Sequence, residues 1–276
     1  MRAATTAVAL GAVPLLLAVA AAQPVLDLTR TRPERTDAEL YVALDTSRSM
    51  LASAGTNAQT RYARATVAAA RLAGAFGEVP VGLASVTDRT LLHVLPTTDS
   101  RVYLSALDRS IGIERPPPAF FYSTHATTLG SLASVPTGNF FTPTARKRLL
   151  IVLTDGETLK PGPQLARAFR RARVPVETYF LRFWSEDERI YETGIAEAGY
   201  RPDARIAAEV DRAAALIGGR VFEEDELEEL IGAGKAFLGE GPTLEREREG
   251  ERLALMPYAT ALALLPLALV LRRRNL

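Results

Sequence analysis

The sequence predicts an α/β domain with a doubly wound, mostly parallel sheet, covered by helices on both faces and flanked by two transmembrane helices. Three observations lead to this expectation. Short apolar runs alternate with helical patterns through the middle of the 276-residue chain, which is typical of a parallel sheet. Two of these runs are separated only by a short polar turn, which predicts one antiparallel strand at the sheet edge. Uncharged stretches at both ends, residues 3–26 and 253–271, are about long enough to cross a bilayer.

The elements of the domain follow in order from their hydrophobic periodicity. Apolar strands are expected at 39–45, 80–86, 90–95, 148–155, 174–183 and 221–222. Helical patterns cover 59–76, 99–110, 164–173, 204–217 and 225–239, and the pair Gly218-Gly219 ends the fourth of them. We therefore place the domain at 39–239, between a linker at 27–38 and a charged juxtamembrane stalk at 240–251.

One stretch after the strand 174–183 resembles an insertion. Residues 185–200 carry more charge than the strand that they follow, and they contain the acidic cluster Glu186, Asp187 and Glu188. Because charged runs of this kind usually face water, this cluster is expected to form a solvated turn.

The two ends of the chain are interpreted as membrane segments. Residues 1–26 end in the small residues Ala20-Ala21-Ala22, which fits either a retained anchor or a cleaved signal peptide. Residues 252–276 contain an apolar run that is followed at once by three arginines, 272–274, as in tails held on the cytoplasmic side. These patterns predict a protein of the cell membrane that contacts the lipid bilayer and holds its domain on the extracytoplasmic side.

Composition excludes several classes of function. The 33 lysines and arginines are balanced by 32 aspartates and glutamates, so no nucleic-acid partner is expected. The chain has no cysteine and only two histidines, which removes thiol catalysis, disulfides and histidine-rich metal sites. It also lacks a nucleophile elbow, a phosphate-binding loop and a zinc-protease motif.

Polar side chains follow two of the predicted strands at the point where each strand ends. The first strand runs into Asp45, Ser47 and Ser49, and the strand at 148–155 ends in Asp155. Because functional groups in an open α/β sheet gather beyond the carboxyl ends of the strands, we expect these four side chains to meet. A site with few carboxylates and several hydroxyls suits Mg²⁺ or Mn²⁺.

These residues resemble the metal site of the von Willebrand factor type A (VWA) family. The family's DxSxS pattern is present as Asp45, Ser47 and Ser49, and its second acidic strand end, TDG, is present about 110 residues later with Asp155. The resemblance covers roughly 38–239. It implies a metal-ion-dependent adhesion site, in which two serine hydroxyls and one threonine hydroxyl bind the ion while the aspartates act directly or through water. It also implies a protein ligand whose acidic side chain completes the metal's shell.

The threonine of that site is the point where this chain departs from the family. The usual Gly-Gly-Thr is absent, and the corresponding loop is STHATTLGSLASV at 123–135. The spacing to Gly130 favours Thr127 as the ligand, with Thr124 and Thr128 as the alternatives. His125, in the same loop, is expected to be a surface residue and not a ligand.

An aromatic group precedes this loop, and two interpretations of it stay open. Phe120, Phe121 and Tyr122 follow three prolines close to the predicted metal face. They form either a partner-binding rim, since aromatic residues are enriched at interface hot spots, or a small cluster that packs under the loop.

The function expected from the sequence is a membrane-anchored binding module, without enzymatic activity, that engages a protein partner or scaffolds an envelope complex. The layout resembles the Bat-type aerotolerance membrane proteins, which implies a MoxR-type ATPase system as a partner, although such ATPases are cytoplasmic. One alternative is a metal-dependent hydrolase or phosphatase of the haloacid-dehalogenase type. That enzyme class needs an acidic residue two positions after the strand-end aspartate, and here the position is Ser47, which cannot transfer the proton. The other alternative is a structural spacer with a vestigial site, against which the intact ligand set argues.

Overall fold

The computed structural model describes residues 2–27, 30–117, 127–248 and 252–274. The helices in these ranges are α1 (Arg2–Ala21), α2 (Arg61–Ala75), α3 (Ser100–Arg109), α4 (Ser134–Thr137), α5 (Pro163–Arg171), α6 (Ala204–Ala207), α7 (Glu209–Ile217), α8 (Leu227–Leu238) and α9 (Met256–Arg274). The strands are β1 (Val25–Asp27), β2 (Arg30–Arg35), β3 (Ala38–Asp45), β4 (Ala52–Ser53), β5 (Val81–Val86), β6 (Thr90–Thr97), β7 (Lys147–Thr154), β8 (Val176–Arg182), β9 (Arg189–Ile190), β10 (Arg220–Glu223), β11 (Thr243–Arg248) and β12 (Arg252–Ala254). The chain divides into two compact units, one formed by Met1–Pro33 with Glu245–Leu276 and the other by Glu34–Leu244.

A six-stranded sheet organises the unit Glu34–Leu244. The strand order is β10-β8-β7-β3-β5-β6. The first five strands are parallel to their neighbours, and β6 runs antiparallel to β5 at the edge. The prediction of a mostly parallel sheet with one antiparallel edge strand is confirmed, because the short turn between β5 and β6 allows only an antiparallel pair.

Both faces of this sheet are buried by helices. In β3, Leu40, Val42 and Leu44 join one core with side chains of α2, α3 and α8. Tyr41 and Ala43 point to the other face and pack with side chains of α5 and α7. Successive residues of a strand face opposite sides, so a strand covered on both faces is apolar throughout. This burial explains why the central strands appear in the sequence as uninterrupted apolar runs.

Tyr41 of β3 lies opposite Gly82 of the neighbouring strand β5. Its hydroxyl donates a 2.7 Å hydrogen bond to the carbonyl oxygen of Phe140, and its ring covers Gly82. A Cβ atom at position 82 would lie 2.2 Å from Cε1 of this ring, so only glycine fits there.

We therefore expect Gly82→Ala to lower the free energy of unfolding by about 1–3 kcal/mol, the usual effect of overpacking a core. Chemical denaturation of the full chain measures this loss. Gly74→Ala is the matched control, because position 74 lies in α2 with no atom within 4 Å of a new Cβ. That change should leave stability unchanged or raise it, since alanine is the better helix former. Equal effects of the two substitutions would show that the Tyr41 ring does not restrict position 82.

Two local features of the structure were not predicted from the sequence. The helix expected at 204–217 is interrupted at Ala208, because Asp203 caps the short helix α6 and Ala208 opens α7. The linker at 27–38 and the stalk at 240–251 contain β2 and β11, which pair with each other. Their charged sequences have low strand propensity, but backbone hydrogen bonds between two chains do not depend on apolar side chains.

The unit Met1–Pro33 with Glu245–Leu276 contains the two apolar ends of the chain. Both ends form helices, α1 and α9, which contact each other, and β1 pairs antiparallel with β12. In the part of the chain that the structure describes, no helix has the length and apolar character needed to cross a membrane. The prediction of two transmembrane helices is therefore not confirmed. Pro14 lies inside α1, Pro266 lies inside α9, and the arginines at 272–274 lie at the end of α9.

Candidate metal centre

The candidate site lies where β3 and β7 end, at one edge of the sheet. These strands are direct neighbours with Leu44 opposite Leu153, so Asp45 and Asp155 come at the ends of adjacent strands, with Asp155 one residue further along. Both carboxylates are completely buried. The structure thus brings together the two aspartates that the sequence predicts.

Asp45 is surrounded by hydrogen-bond donors. Thr127 donates its hydroxyl to both carboxylate oxygens, at 2.7 and 2.9 Å, and Thr154 donates its hydroxyl at 2.6 Å. The backbone N–H of Ser47 donates at 2.9 Å. These three donors fix the orientation of the carboxylate, and Thr154 was not predicted to contact it.

The two serines lie in the turn that follows β3. The hydroxyls of Ser47 and Ser49 are 3.0 Å apart, and the hydroxyl of Ser49 also bonds with the carboxylate of Asp155. A short 3₁₀ helix, Arg48–Leu51, produces this arrangement by turning the chain back over the end of the strand. Residues 47 and 49 are therefore held on the same side, next to both aspartates.

Of the threonines in this loop that the structure describes, Thr127 contacts Asp45. Thr127 is buried and is held by Thr158, whose hydroxyl donates to its carbonyl oxygen at 2.9 Å. The methyl group of Thr128 lies instead beside Gly130. The other alternative, Thr124, falls outside the described residues, as do His125 and the three aromatic residues of the predicted rim, Phe120, Phe121 and Tyr122.

The glycine of the TDG pattern has a steric role. Gly156 adopts a φ of 80°, which is unfavourable for other residues, and a Cβ there would lie 2.5 Å from the carbonyl oxygen of Ala207. The chain can turn sharply after Asp155 for this reason. The turn also lets the backbone N–H of Glu157 donate to Asp155 at 2.9 Å.

A buried arginine, Arg61, was missed by the sequence analysis. It is the first residue of α2 and is completely inaccessible to solvent. Its Nη1 lies 3.0 Å from Asp155 Oδ2 and 3.0 Å from Glu157 Oε1, and its Nε lies 2.5 Å from Glu188 Oε2. A single arginine at the start of an amphipathic helix is normally exposed, so the sequence held no signal for this burial.

The burial of Glu188 also differs from the prediction. It was predicted to belong to a solvated turn, but its side chain is only 4% exposed because it is paired with both Arg61 and Arg64. Only its neighbours Glu186 and Asp187 are exposed, as predicted.

The charges of this cluster favour a divalent cation. Among the described residues, four carboxylates lie here with at most 11% of any side chain exposed, namely Asp45, Asp155, Glu157 and Glu188. Two guanidinium groups face them, and that of Arg64 is shared with the more exposed Glu224. Buried charges without partners are costly, so the excess negative charge matches the charge that one divalent ion would supply.

The ligand atoms fit the same kind of ion. Carboxylate and hydroxyl oxygens are the ligands of hard cations such as Mg²⁺ and Mn²⁺. In the described parts of the chain, no group of three or more histidine, cysteine, aspartate or glutamate side chains could hold a metal. The predicted site does not depend on such a group, since it combines two carboxylates with three hydroxyls.

In the metal-free site, the pKa values of both aspartates are raised. Burial, reinforced by the negative charge of Asp155, raises the pKa of Asp45 from 3.8 to about 7, although three hydrogen bonds oppose the change. Burial also raises the pKa of Asp155, against the attraction of Arg61. In both cases the folded protein binds the proton more tightly than the unfolded chain does.

This shift predicts a pH dependence of stability for the metal-free protein. A carboxyl whose pKa is raised on folding destabilises the folded state as pH rises from its ordinary value to the raised one, here from 3.8 to about 7. We expect the free energy of unfolding to fall over this range and Asp45→Asn to remove much of the fall. Urea denaturation in chelator at several pH values tests this. Parallel curves for the two proteins would contradict the assignment of the raised pKa to Asp45.

Comparisons with known proteins agree with this architecture. No family model matches the chain, and no curated protein sequence matches it. Among solved structures, the conserved hypothetical protein BatB from Bacteroides thetaiotaomicron superposes with a TM-score of 0.58 at 20% identity, covering 73% of this chain and 98% of that chain. An aerotolerance-related membrane protein from Bacteroides fragilis gives a TM-score of 0.52 at 20% identity, with the same coverage of 73% and 98%. A von Willebrand factor type A protein from Catenulispora acidiphila gives 0.45 at 13% identity, covering 79% of this chain and 51% of that chain.

At these identities the likeness concerns the fold. The parallel sheet, its antiparallel edge strand and the helices on both faces are the features predicted from the alternation of apolar runs and helical patterns in the sequence. The chain is similar in fold to the two Bacteroides proteins.

Proposed function

We propose that this chain is a binding module without enzymatic activity, which holds Mg²⁺ or Mn²⁺ at the edge of its sheet. A protein partner would bind to this ion through one of the partner's own acidic side chains. The proposed ligands are Asp45, Ser47, Ser49, Thr127 and Asp155. The observation that carries the proposal is the meeting of these five side chains around a cluster with excess negative charge. The ion would supply a positive charge to which a partner's carboxylate can bind.

The chemistry of the site disfavours catalysis. A hydrolase would need a group that is free to move a proton, and the nearest carboxylate outside the ligand set is Glu157. This side chain already accepts hydrogen bonds from Arg61, from Trp184 and from Tyr200. Of the two histidines, His93 bonds with Ser85 on the edge strands, and His125 lies outside the described residues. Three donors hold Glu157 in place, which favours binding over turnover.

The experiment that tests this function is a titration of the full chain with Mn²⁺, followed by electron paramagnetic resonance. We expect one bound ion per chain, and we expect glutarate, a small dicarboxylate, to change the spectrum of the bound ion by entering its shell. Asp108→Asn is the matched control, because Asp108 is an exposed carboxylate on α3 and its loss should change neither result. Absence of Mn²⁺ binding by the wild type would overturn the proposal.

The same sample distinguishes the hydrolase alternative. We expect no metal-dependent release of nitrophenol when the Mg²⁺-loaded chain is mixed with p-nitrophenyl phosphate. Turnover that disappears in Asp45→Asn would replace the binding function with a phosphatase function. A chain that neither binds the ion nor hydrolyses the phosphate would instead favour the structural spacer.

We also propose that the chain acts in a complex of the cell envelope. Similarity in fold to an aerotolerance-related membrane protein supports a place in an envelope complex, with a MoxR-type ATPase system as one candidate partner. The location at the cell membrane and the extracytoplasmic side of the domain stay predictions from the sequence.

A further inference from the structure

The 185–200 segment is attached to the turn that carries the candidate serine ligands. Its strand β9 pairs with β4, so that Ile190 lies opposite Ala52. Arg48, which lies between Ser47 and Ser49 in the sequence, contacts Glu192 and Glu197 of the segment, each at 2.9 Å. The segment is therefore next to the metal site and not a separate loop.

Arg61 joins the same segment to the other side of the site. Its Nε binds Glu188 and its Nη2 points to the carbonyl oxygen of Ser185, both in the segment. Its Nη1 binds Asp155 of the site and the hydroxyl of Tyr200, the last residue of the segment. One planar guanidinium thus contacts both a candidate metal ligand and both ends of the segment.

The rigidity of the guanidinium makes this contact directional. Its N–H donors point along fixed directions, so the position of Glu188 determines where Nη1 lies relative to Asp155. A lysine in the same place would keep the positive charge, but its single ammonium group cannot hold both carboxylates in one orientation. In many proteins, residues that contact a metal ligand but not the metal itself orient that ligand.

We propose that Arg61 is a positioning residue of the metal site and that, through it, the 185–200 segment sets the affinity for the ion. This inference rests on the proposed function, because it concerns the same site. Glu188 contacts none of the five proposed ligands in the described structure, and Arg61 is the residue that links it directly to Asp155.

A double-mutant cycle on the full chain tests the inference. Glu188→Gln should lower the affinity for Mn²⁺ about tenfold, because the loss of a residue that supports a metal ligand usually has an effect of this size. In the Arg61→Lys background the same change should have little further effect. Because lysine keeps the charge of arginine, a purely through-space effect of Glu188 would be equal in both backgrounds. Isothermal titration with Mn²⁺ measures all four affinities, and urea denaturation shows that each variant is folded.

Glu224→Gln is the matched control for charge. Glu224 contacts Arg64 but is not in contact with Arg61, so we expect its loss to change the affinity for Mn²⁺ by less than about twofold. Equal effects of Glu188→Gln and Glu224→Gln, or additive effects in the cycle, would overturn the inference while the proposed function stands. Failure of the wild type to bind Mn²⁺ would overturn both.

Limited proteolysis gives a second readout. Coupling between two sites is reciprocal, so an ion whose affinity depends on the 185–200 segment must in turn stabilise that segment. We expect Mn²⁺ to slow cleavage by trypsin after Arg189 in the wild type and to have a much smaller effect in Arg61→Lys. Equal protection in both proteins would contradict the role of Arg61.

Discussion

Replacement of Asp45 by asparagine is expected to abolish the stabilisation of the chain by Mg²⁺ or Mn²⁺ while the fold is retained. An ion that binds only the folded state stabilises it by about 2.7 kcal/mol at a concentration one hundred times its Kd, and the variant loses this whole effect. Asparagine keeps the shape of the side chain, so Thr127 and Thr154 still have a partner next to them. Thermal melts of the full chain with and without the metal measure the difference.

The metal-free variant should be at least as stable as the wild type above neutral pH. The asparagine side chain is neutral, so the variant no longer buries two carboxylates beside each other, and that arrangement contributes to the raised pKa of Asp45. Asp108→Asn serves again as the exposed control and should respond to the metal like the wild type. A wild-type metal response in Asp45→Asn would exclude Asp45 as a ligand. If Asp45→Asn fails to fold, Ser49→Ala provides the second test, because it removes one hydroxyl without changing the charge.

Replacement of Arg61 by methionine has the largest expected effect on stability. Methionine fills a similar volume but leaves Asp155, Glu157 and Glu188 without their shared cation in a buried place. Removing one partner of a buried ion pair usually lowers the free energy of unfolding by about 3–5 kcal/mol. Urea denaturation of the full chain at constant pH measures this loss.

Two comparisons separate this effect from the loss of any arginine on the same helix. Arg71 is paired with Glu228 on the surface, with more than half of each side chain exposed, so Arg71→Met should change stability by less than about 0.5 kcal/mol. Adding Glu157→Gln to Arg61→Met should recover part of the loss, because Glu157 has its ion pair in the described structure with Arg61, whereas Glu188 keeps Arg64. Similar losses in Arg61→Met and Arg71→Met would mean that burial of the guanidinium contributes nothing to the fold.

The fold and part of the site follow from the sequence for identifiable reasons. Strands β3 and β7 are buried on both faces, so their apolar runs are continuous and easily recognised. Asp45 and Asp155 end these runs, and neighbouring parallel strands end at the same edge, which brings the two side chains together. The spacing to Gly130 pointed to Thr127, and among the described threonines of that loop Thr127 is the one that contacts Asp45.

The remaining parts of the site depend on contacts between residues that are far apart in the chain. Arg61 and Glu188 are separated by 127 positions, and neither belongs to a pattern that indicates burial. The acidic stretch that contains Glu188 has the composition of an exposed turn, and only the pairing of β9 with β4 places it against α2. Likewise, β2 and β11 are charged segments whose pairing comes from the backbone, so periodicity of apolar residues does not reveal them.

The most direct measurement is a crystal structure of the full chain grown with Mn²⁺, with an anomalous difference map recorded at the manganese edge. The proposed site predicts one strong peak bonded to the hydroxyls of Ser47, Ser49 and Thr127, with Asp45 and Asp155 bound directly or through water. A peak at any other group of side chains, or no peak in the presence of saturating Mn²⁺, would contradict the assignment of this sheet edge as a metal-dependent binding site.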